Sequence, residues 1–486
     1  MIMACRSGTF TRLVVVIGCG AVVLAFVATA LAADPVAPAA NVFVPKSPRE
    51  RAAFNAAADE QERLADAEEK ESRSAVLPTL VHPFKSSVTH PEIEIERAAV
   101  PMRDGVKLRG SVYRPRQDGK YPVILQTGPY DMEKNLDEMP ALFRNLARRG
   151  YAVVAVDSRG RYGSEGVFRP FDDEIDNAFD AVAWASSQPW SNGKVGVTGI
   201  SYLGWTSYSA GIASPPGLVA IMPSAINYGL ENPHGVPYLG SMAGWLIWAG
   251  RPGTTATAVT RRIDWLHLPL DRIDDEAGLP TPAFDAMVTE RPLQVPGALT
   301  PEEIENRLAK ITVPTYVVAG WYDELNEGML ANYVRQARHS EDLRLVVGPW
   351  HHNINTAYRG PEKIGIVSAS EPHLDRYYHE MERFFGRYLK DDGIAWDPPG
   401  RVLLYVMGSN EWRYEDEWPL TRAVKTPVYL SSQGKARTAS GDGALAWYAP
   451  RGEEPADRYE YDPLDPVRSV QGVGVWHLLS SMTDRA

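Results

Sequence analysis

Three residue types, in a fixed order along this chain, could together perform acyl transfer. The first is a serine in a glycine-bounded turn, Gly199-Ile200-Ser201-Tyr202-Leu203-Gly204, after the β-branched run Lys194-Val195-Gly196-Val197-Thr198 and before small residues of helical character. A strand, a tight turn and a helix in that order lift a serine Oγ clear of the backbone. The hydroxyl attacks a carbonyl only when a base takes its proton and donors receive the oxyanion. The turn departs from the strict pattern of glycines two places either side of the serine. Gly199 fits, Leu203 stands where the second glycine would be, and Gly204 comes one place late. Taken alone, such a turn is a structural loop more often than a catalytic one. The apolar run ending Val318-Ala319-Gly320 is followed by Trp321-Tyr322-Asp323, and the run ending Val346-Val347 by Gly348-Pro349-Trp350-His351-His352. An aspartate and then a histidine, each just beyond a strand and both after the serine, is the order an α/β-hydrolase triad requires. Asp323 could be a helix cap and either histidine an ordinary loop residue, but the three signals jointly point to a serine hydrolase. At this level His351 and His352 are equal candidates for the base.

The elements that must position these residues are legible as patterns. Glu92 to Val100 and Lys107 to Tyr113 alternate around the Arg103-Asp104-Gly105 turn, which predicts an antiparallel hairpin. The runs 122–125, 152–156, 195–197, 219–221, 315–318 and 343–347 are apolar on both faces, as strands inside a covered parallel sheet are. Helical patterns lie between them, with Ile175, Ala178, Phe179, Val182 and Ala183 on one face of the clearest. The reading is α/β: an α/β-hydrolase fold covered on both sides. Between about Tyr228 and Leu308 the alternation stops in a stretch rich in Trp, Pro and Gly, predicted to be an inserted helical cap at the ligand-binding edge. A helix from about Glu371 to Lys390 closes the sheet. The short strands Val402 to Met407, Val428 to Leu430, Ala446 to Tyr448 and Tyr459 to Tyr461 then predict a partial all-β, jelly-roll-like module.

Composition excludes several function classes. At 486 residues two or three domains are expected. A net charge of −11, with no basic run longer than Arg148-Arg149 or Arg261-Arg262, disfavours nucleic acid and anionic membrane as partners. Arg6 and Arg12 precede an apolar stretch from Leu13 to Ala28 and the small-x-small triplet Ala30-Leu31-Ala32. That is the form of a signal peptide, shorter than the about 20 residues a spanning helix needs. Export with cleavage near Ala32, to the periplasm or beyond, is the expectation. The only two cysteines, Cys5 and Cys19, lie within the removed segment, which leaves no thiol for catalysis or metal binding. The resulting division is 1–32 signal peptide, 33–88 N-terminal extension (helical or mobile over 47–74), 89–228 and 309–395 hydrolase core, 229–308 cap, and 396–486 β module.

Gly128-Pro129-Tyr130-Asp131, Asp157-Ser158-Arg159-Gly160, the Ser201 turn, Gly320-Trp321-Tyr322-Asp323 and Gly348-Pro349-Trp350-His351-His352 stand in one order from about Glu92 to Pro466. In these the chain resembles the CocE/NonD serine hydrolases, the group of cocaine esterase, α-amino acid ester hydrolases and glutaryl-cephalosporin acylases, related to the X-Pro dipeptidyl peptidases. In that group the turn is Gly-x-Ser-Tyr-x-Gly, so Leu203 is in place. The resemblance implies a Ser201–Asp323–His352 triad, with His351 the variable position. It implies an oxyanion hole of the Tyr130 hydroxyl and the Tyr202 N–H, and no metal or cofactor. It also implies acidic residues two and three places after the aspartate in members that take α-amino acyl groups; here those places hold Leu325 and Asn326, with Glu324 and Glu327 beside them. A plain ester or amide of a small molecule is therefore expected. Two alternatives remain. One is an X-Pro dipeptidyl peptidase; the other is an inactive remnant, because family members carry the jelly roll well beyond Asp462-Pro463-Leu464-Asp465-Pro466. An oligomer is possible, and the substrate-binding residues are unknown.

Overall fold

The computed structural model describes residues 86–133, 138–230, 242–251, 262–289, 296–350, 352, 375–392, 400–438 and 440–464, with residue 259 and the strand pieces 13–14, 25–26, 363–364 and 367–368. In residues 1–56, Leu13–Val14 pairs antiparallel with Ala25–Phe26. The cysteines, the proposed cleavage site and the 47–74 stretch lie outside the described residues, as does His351.

The rest of the chain is organised by one sheet of ten strands. They are β1 (Ile93–Pro101), β2 (Lys107–Pro115), β3 (Tyr121–Gly128), β4 (Ala152–Asp157), β5 (Ser191–Ile200), β6 (Leu218–Ser224), β7 (Thr315–Gly320), β8 (Leu343–Gly348), β9 (Val402–Val406) and β10 (Glu411–Glu415). Their order across the sheet is β1-β2-β4-β3-β5-β6-β7-β8-β9-β10. The β1–β2 hairpin is antiparallel, and β2 runs antiparallel to β4. From β4 through β9 every pairing is parallel. All six apolar runs therefore fall on parallel strands, each followed by a loop at the same edge.

The helices are α1 (Glu138–Ala147), α2 (Glu174–Ser187), α3 (Tyr202–Ala213), α4 (Gly244–Ala249), α5 (Pro282–Thr289), α6 (Pro301–Leu308), α7 (Asn326–Gln336) and α8 (Asp375–Lys390). Strand side chains alternate between the two faces, and both faces are apolar because each has its own helices. Val123, Leu125, Val195, Val197 and Val317 pack with α2, α3, α6 and α7. Ile124, Val153, Val318 and Val346 pack with Phe143 of α1 and with Tyr377, Met381, Phe384 and Phe385 of α8.

Between β6 and β7 the described residues form α4, a 3-10 helix Leu270–Arg272 running into the one-turn helix Ile273–Glu276, α5 and α6, with no strand among them. Leu246, Ile247, Trp248, Phe284 and Met287 give this insertion a small core of its own. Its last helix, α6, instead packs on the sheet through Ile304 and Leu308. A capping box starts α6: the Glu303 N–H donates to Thr300 Oγ1 (3.3 Å) and the Thr300 N–H to Glu303 Oε2 (2.8 Å).

The C-terminal strands differ from expectation, most of all at the first of them. Val402–Val406, expected to open a separate β module, is β9 of the main sheet, parallel to β8 with Leu345 opposite Val402. The physical reason is its content: Val402, Leu403, Leu404 and Tyr405 are all buried, so consecutive positions need cover on both faces. β10 turns back antiparallel as the edge. Beyond it, Tyr429–Ser431 pairs with Ala444–Ala446, a few residues ahead of the expected 446–448, and 459–461 form no strand.

Candidate active site

The Ser201 turn is built by close packing. β5 ends at Ile200, α3 begins at Tyr202, and Ser201 between them has φ 62° and ψ −125°, a backbone region that non-glycine residues adopt only when their surroundings impose it. The Ser201 N–H donates to Ser224 O (3.0 Å), and Ser201 O accepts from the N–H groups of Gly204 (2.8 Å) and Trp205 (3.1 Å). A Cβ on Gly199 would lie 2.1 Å from Leu203 Cβ, and one on Gly204 would lie 2.7 Å from Ser224 O. Glycine is thus needed at 199 and 204. Position 203 takes leucine because that side chain is buried over the end of β3, where a Cβ on Gly128 would lie 2.5 Å from its Cδ1.

Asp323 and His352 follow the neighbouring strands β7 and β8. Their loops are laced together, Trp321 N–H to Gly348 O and Tyr322 N–H to Trp350 O, both 2.9 Å. His352 Nδ1 lies 3.1 Å from Asp323 Oδ1 and 3.2 Å from Oδ2, and both side chains are buried. Asp323 Oδ1 also accepts from the Leu325 N–H (2.9 Å). Burial pushes the His352 pKa down, but the charge and hydrogen bond of Asp323, with a smaller contribution from Glu324, outweigh it and leave the pKa raised. A proton on Nδ1, facing the carboxylate, leaves Nε2 as the basic nitrogen.

Tyr130 sits across from Ser201. Its ring is stacked on Trp248 with centroids 5.4 Å apart. Trp245 Nε1 donates to the phenol oxygen at 3.1 Å. Indole N–H is a donor only, so the phenol accepts there and keeps its own O–H to give elsewhere. Burial raises the Tyr130 pKa, opposed by contacts with Trp245 and with the Ser201 hydroxyl, so the phenol stays protonated. The next residue, Asp131 (φ 53°), accepts from Arg109 Nη2 at 2.6 Å. Asp157 takes the Met132 N–H at 2.7 Å and pairs with Arg109 Nε. The Asp157 segment thereby fixes the loop that carries Tyr130.

Tyr202 is the first residue of α3, so its N–H has no acceptor within the helix. Its phenol donates to Glu174 Oε1 (2.7 Å) and accepts from the Phe171 N–H (2.9 Å). Its ring stacks on Trp245 at 5.6 Å. Burial raises Glu174 to about 7, partly opposed by the Tyr202 hydrogen bond.

The arrangement therefore brings Ser201 beside Tyr130 and His352 onto Asp323. Among the described residues no hydrogen bond joins Ser201 to His352, and Tyr130 lies close enough to Ser201 for the serine hydroxyl to lower its pKa. Bonds of this type commonly close only when substrate is present. Two residues that matter to the geometry were not singled out from sequence. Trp245 touches both tyrosines, and Glu174 holds Tyr202 from behind. Trp245 was visible only as one tryptophan of a rich stretch, and Glu174 as a polar residue opening an amphipathic helix.

Known proteins share the sequence pattern and the fold of this chain. Residues 104–353 match the family described as X-Pro dipeptidyl-peptidase (S15 family). Cocaine esterase of Rhodococcus sp. (strain MB1 Bresler) is 35% identical over 406 residues, 78% of this chain and 69% of the esterase. Among solved structures, an aminopeptidase from the marine sediment archaeon Thaumarchaeota archaeon superposes with a TM-score of 0.56 at 22% identity, covering 80% of this chain and 68% of its own. An α-amino acid ester hydrolase superposes with a TM-score of 0.53 at 24% identity, covering 79% and 68%. At those identities the two structures speak for the fold. With a serine presented at a strand–helix turn and the family matched over half its length, this chain belongs to the S15 family, as a serine hydrolase of the CocE/NonD type.

Proposed function

We propose that the protein hydrolyses carboxylic esters of small molecules, and the corresponding amides more slowly, through a Ser201–Asp323–His352 triad. The buried Asp323–His352 pair carries this reading: a carboxylate on Nδ1 is what a general base needs to keep Nε2 free. His352 takes the Ser201 proton as Oγ adds to the carbonyl carbon. The Tyr130 O–H and the Tyr202 N–H receive the oxyanion. His352 returns the proton to the leaving alcohol or amine, giving an acyl-enzyme. Water, deprotonated by the same base, then releases the acid and restores Ser201.

Leu325 and Asn326, at the start of α7, offer no carboxylate for a substrate ammonium group, which supports a plain acyl group over an α-amino one. The relative at 35% identity is named an esterase. A second reading, removal of X-Pro dipeptides, is favoured by the description of the matched family. Assays of p-nitrophenyl butyrate and Gly-Pro-p-nitroanilide with wild type and Ser201→Ala separate the two. Ester turnover lost in Ser201→Ala is expected. Anilide turnover above ester turnover would establish the peptidase, and turnover of neither substrate by a folded sample would refute both. We also propose export, supported by the charged, apolar and small-residue order of the first 32 residues. An exported form beginning at Ala33 is expected by N-terminal sequencing.

A further inference from the structure

Arg161 is a cation that the acyl-transfer scheme leaves unused. It lies in the loop after β4 and is wholly enclosed. Neighbouring arginines are paired with carboxylates: Arg109 with Asp131 and Asp157, Arg159 with Asp104. Among the described residues no aspartate or glutamate comes within ion-pair distance of Arg161. Its Nη1 donates to Ala249 O at 3.1 Å and its Nε to Pro129 O at 3.3 Å, while Nη2 makes no hydrogen bond. The remaining neighbours are neutral aromatic residues, with ring faces of Trp248 at 4.8 Å, Tyr162 at 5.3 Å and Phe168 at 5.4 Å; the Tyr162 hydroxyl also feels Arg161, which lowers its pKa against the larger effect of burial.

A guanidinium cannot shed its charge in a protein. Taking it out of water without a counter-ion is costly, and aromatic faces return only part of that cost. In such a low-dielectric setting its field reaches farther than it would at the surface. The nearest place where negative charge forms during the reaction is one ring away. Trp248, against the guanidinium, is also stacked on Tyr130, and Pro129, which accepts from Nε, is the residue before Tyr130. The Tyr130 phenol already responds: the positive charge of Arg161 lowers its pKa against the larger effect of burial.

We infer that Arg161 is an electrostatic positioning residue of the oxyanion hole, its unpaired charge held behind Trp248 and Pro129 to stabilise the anion that forms beside Tyr130. This rests on the reading of Tyr130 as an oxyanion donor. A purely structural role, tying the insertion at Ala249 to the loop at Pro129, would use the hydrogen bonds and not the charge.

Variants Arg161→Lys and Arg161→Gln separate the two roles, because both can donate to the two carbonyls and only lysine is charged. The measurements are kcat and KM for p-nitrophenyl butyrate and the affinity for phenylboronic acid, which adds to a serine as a tetrahedral anion. Arg161→Gln is expected to lose about 10- to 30-fold in kcat and a similar factor in boronate affinity, with KM within about twofold; that is about 1.4–2 kcal/mol at 1.36 per tenfold. Arg161→Lys is expected to stay within about threefold of wild type. Equal behaviour of the two variants, or a loss confined to KM with boronate affinity unchanged, would overturn the inference. Arg161→Met repeats the test if the glutamine variant does not fold, and failure of both neutral variants to fold would assign Arg161 a structural role only. Absence of Ser201-dependent turnover in wild type would defeat the active-site reading and this inference together. Equal lysine and glutamine variants beside an active wild type defeat this inference alone.

Discussion

A serine hydroxyl is an ordinary alcohol until its neighbours change its behaviour, and each neighbour of Ser201 makes a separable prediction. Tyr130 accepts from Trp245 and keeps its own proton to donate. Tyr130→Phe is therefore expected to lower kcat by about 10²–10³-fold with little change in KM, the usual cost of one oxyanion donor. In the proposed triad His352 acts as base only when neutral. Because its pKa is raised, activity is lost as pH falls through a midpoint above the ordinary histidine value of about 6.5. Asp323→Asn removes the charge responsible, so the acid limb of kcat/KM should move to lower pH while kcat falls by about 10⁴-fold. A pH–rate profile of the two proteins checks both points. Ser201, Asp323 and His352 were legible as candidates in the sequence because each lies in the turn or loop just beyond an apolar run. Trp245 was not legible as a partner, since an indole's role depends on where the insertion returns to the sheet, and no local pattern records that.

At the scale of elements, the strands were legible and the packing at their ends was not. Runs such as 122–125 and 152–156 are apolar at every position, as strands covered on both faces are. The same logic places Val402–Val406 in the main sheet, although its position after Pro398-Pro399 suggested a new module. Leu203 departs from the strict glycine pattern of a serine turn but fits the Gly-x-Ser-Tyr-x-Gly form, and its packing over Gly128 gives the physical reason for a leucine there. Gly204→Ala would set a Cβ 2.6 Å from Ile226 Cγ2 and 2.7 Å from Ser224 O. We expect a loss of about 1–3 kcal/mol, the range for overpacking, read as a lower denaturation midpoint. Glu174, at the start of α2, makes a pH-dependent contribution. Its carboxyl titrates near 7 in the folded protein and near 4.5 when unfolded, so between those values the folded state holds the extra proton. Its contribution is fully present below 4.5 and is lost as pH rises through about 7. Melting curves from pH 5 to 8 should show a smaller decline for Glu174→Gln than for wild type.

At the scale of the whole molecule, the sheet order is what makes a site from distant residues. Tyr130, Ser201, Asp323 and His352 follow β3, β5, β7 and β8, and these parallel strands deliver all four to one edge. The insertion between β6 and β7 then supplies Trp245 and Trp248 from a core of its own, so the side of the candidate site that holds Tyr130 depends on both the sheet and the insertion. The central claim is that Ser201 carries the acyl group, and covalent labelling tests it most directly. After inactivation by a fluorophosphonate and peptide mapping, the account predicts one adduct, on the peptide containing Ser201, appearing in step with the loss of p-nitrophenyl butyrate turnover. An adduct at another residue, or turnover that survives full labelling of Ser201, would contradict it.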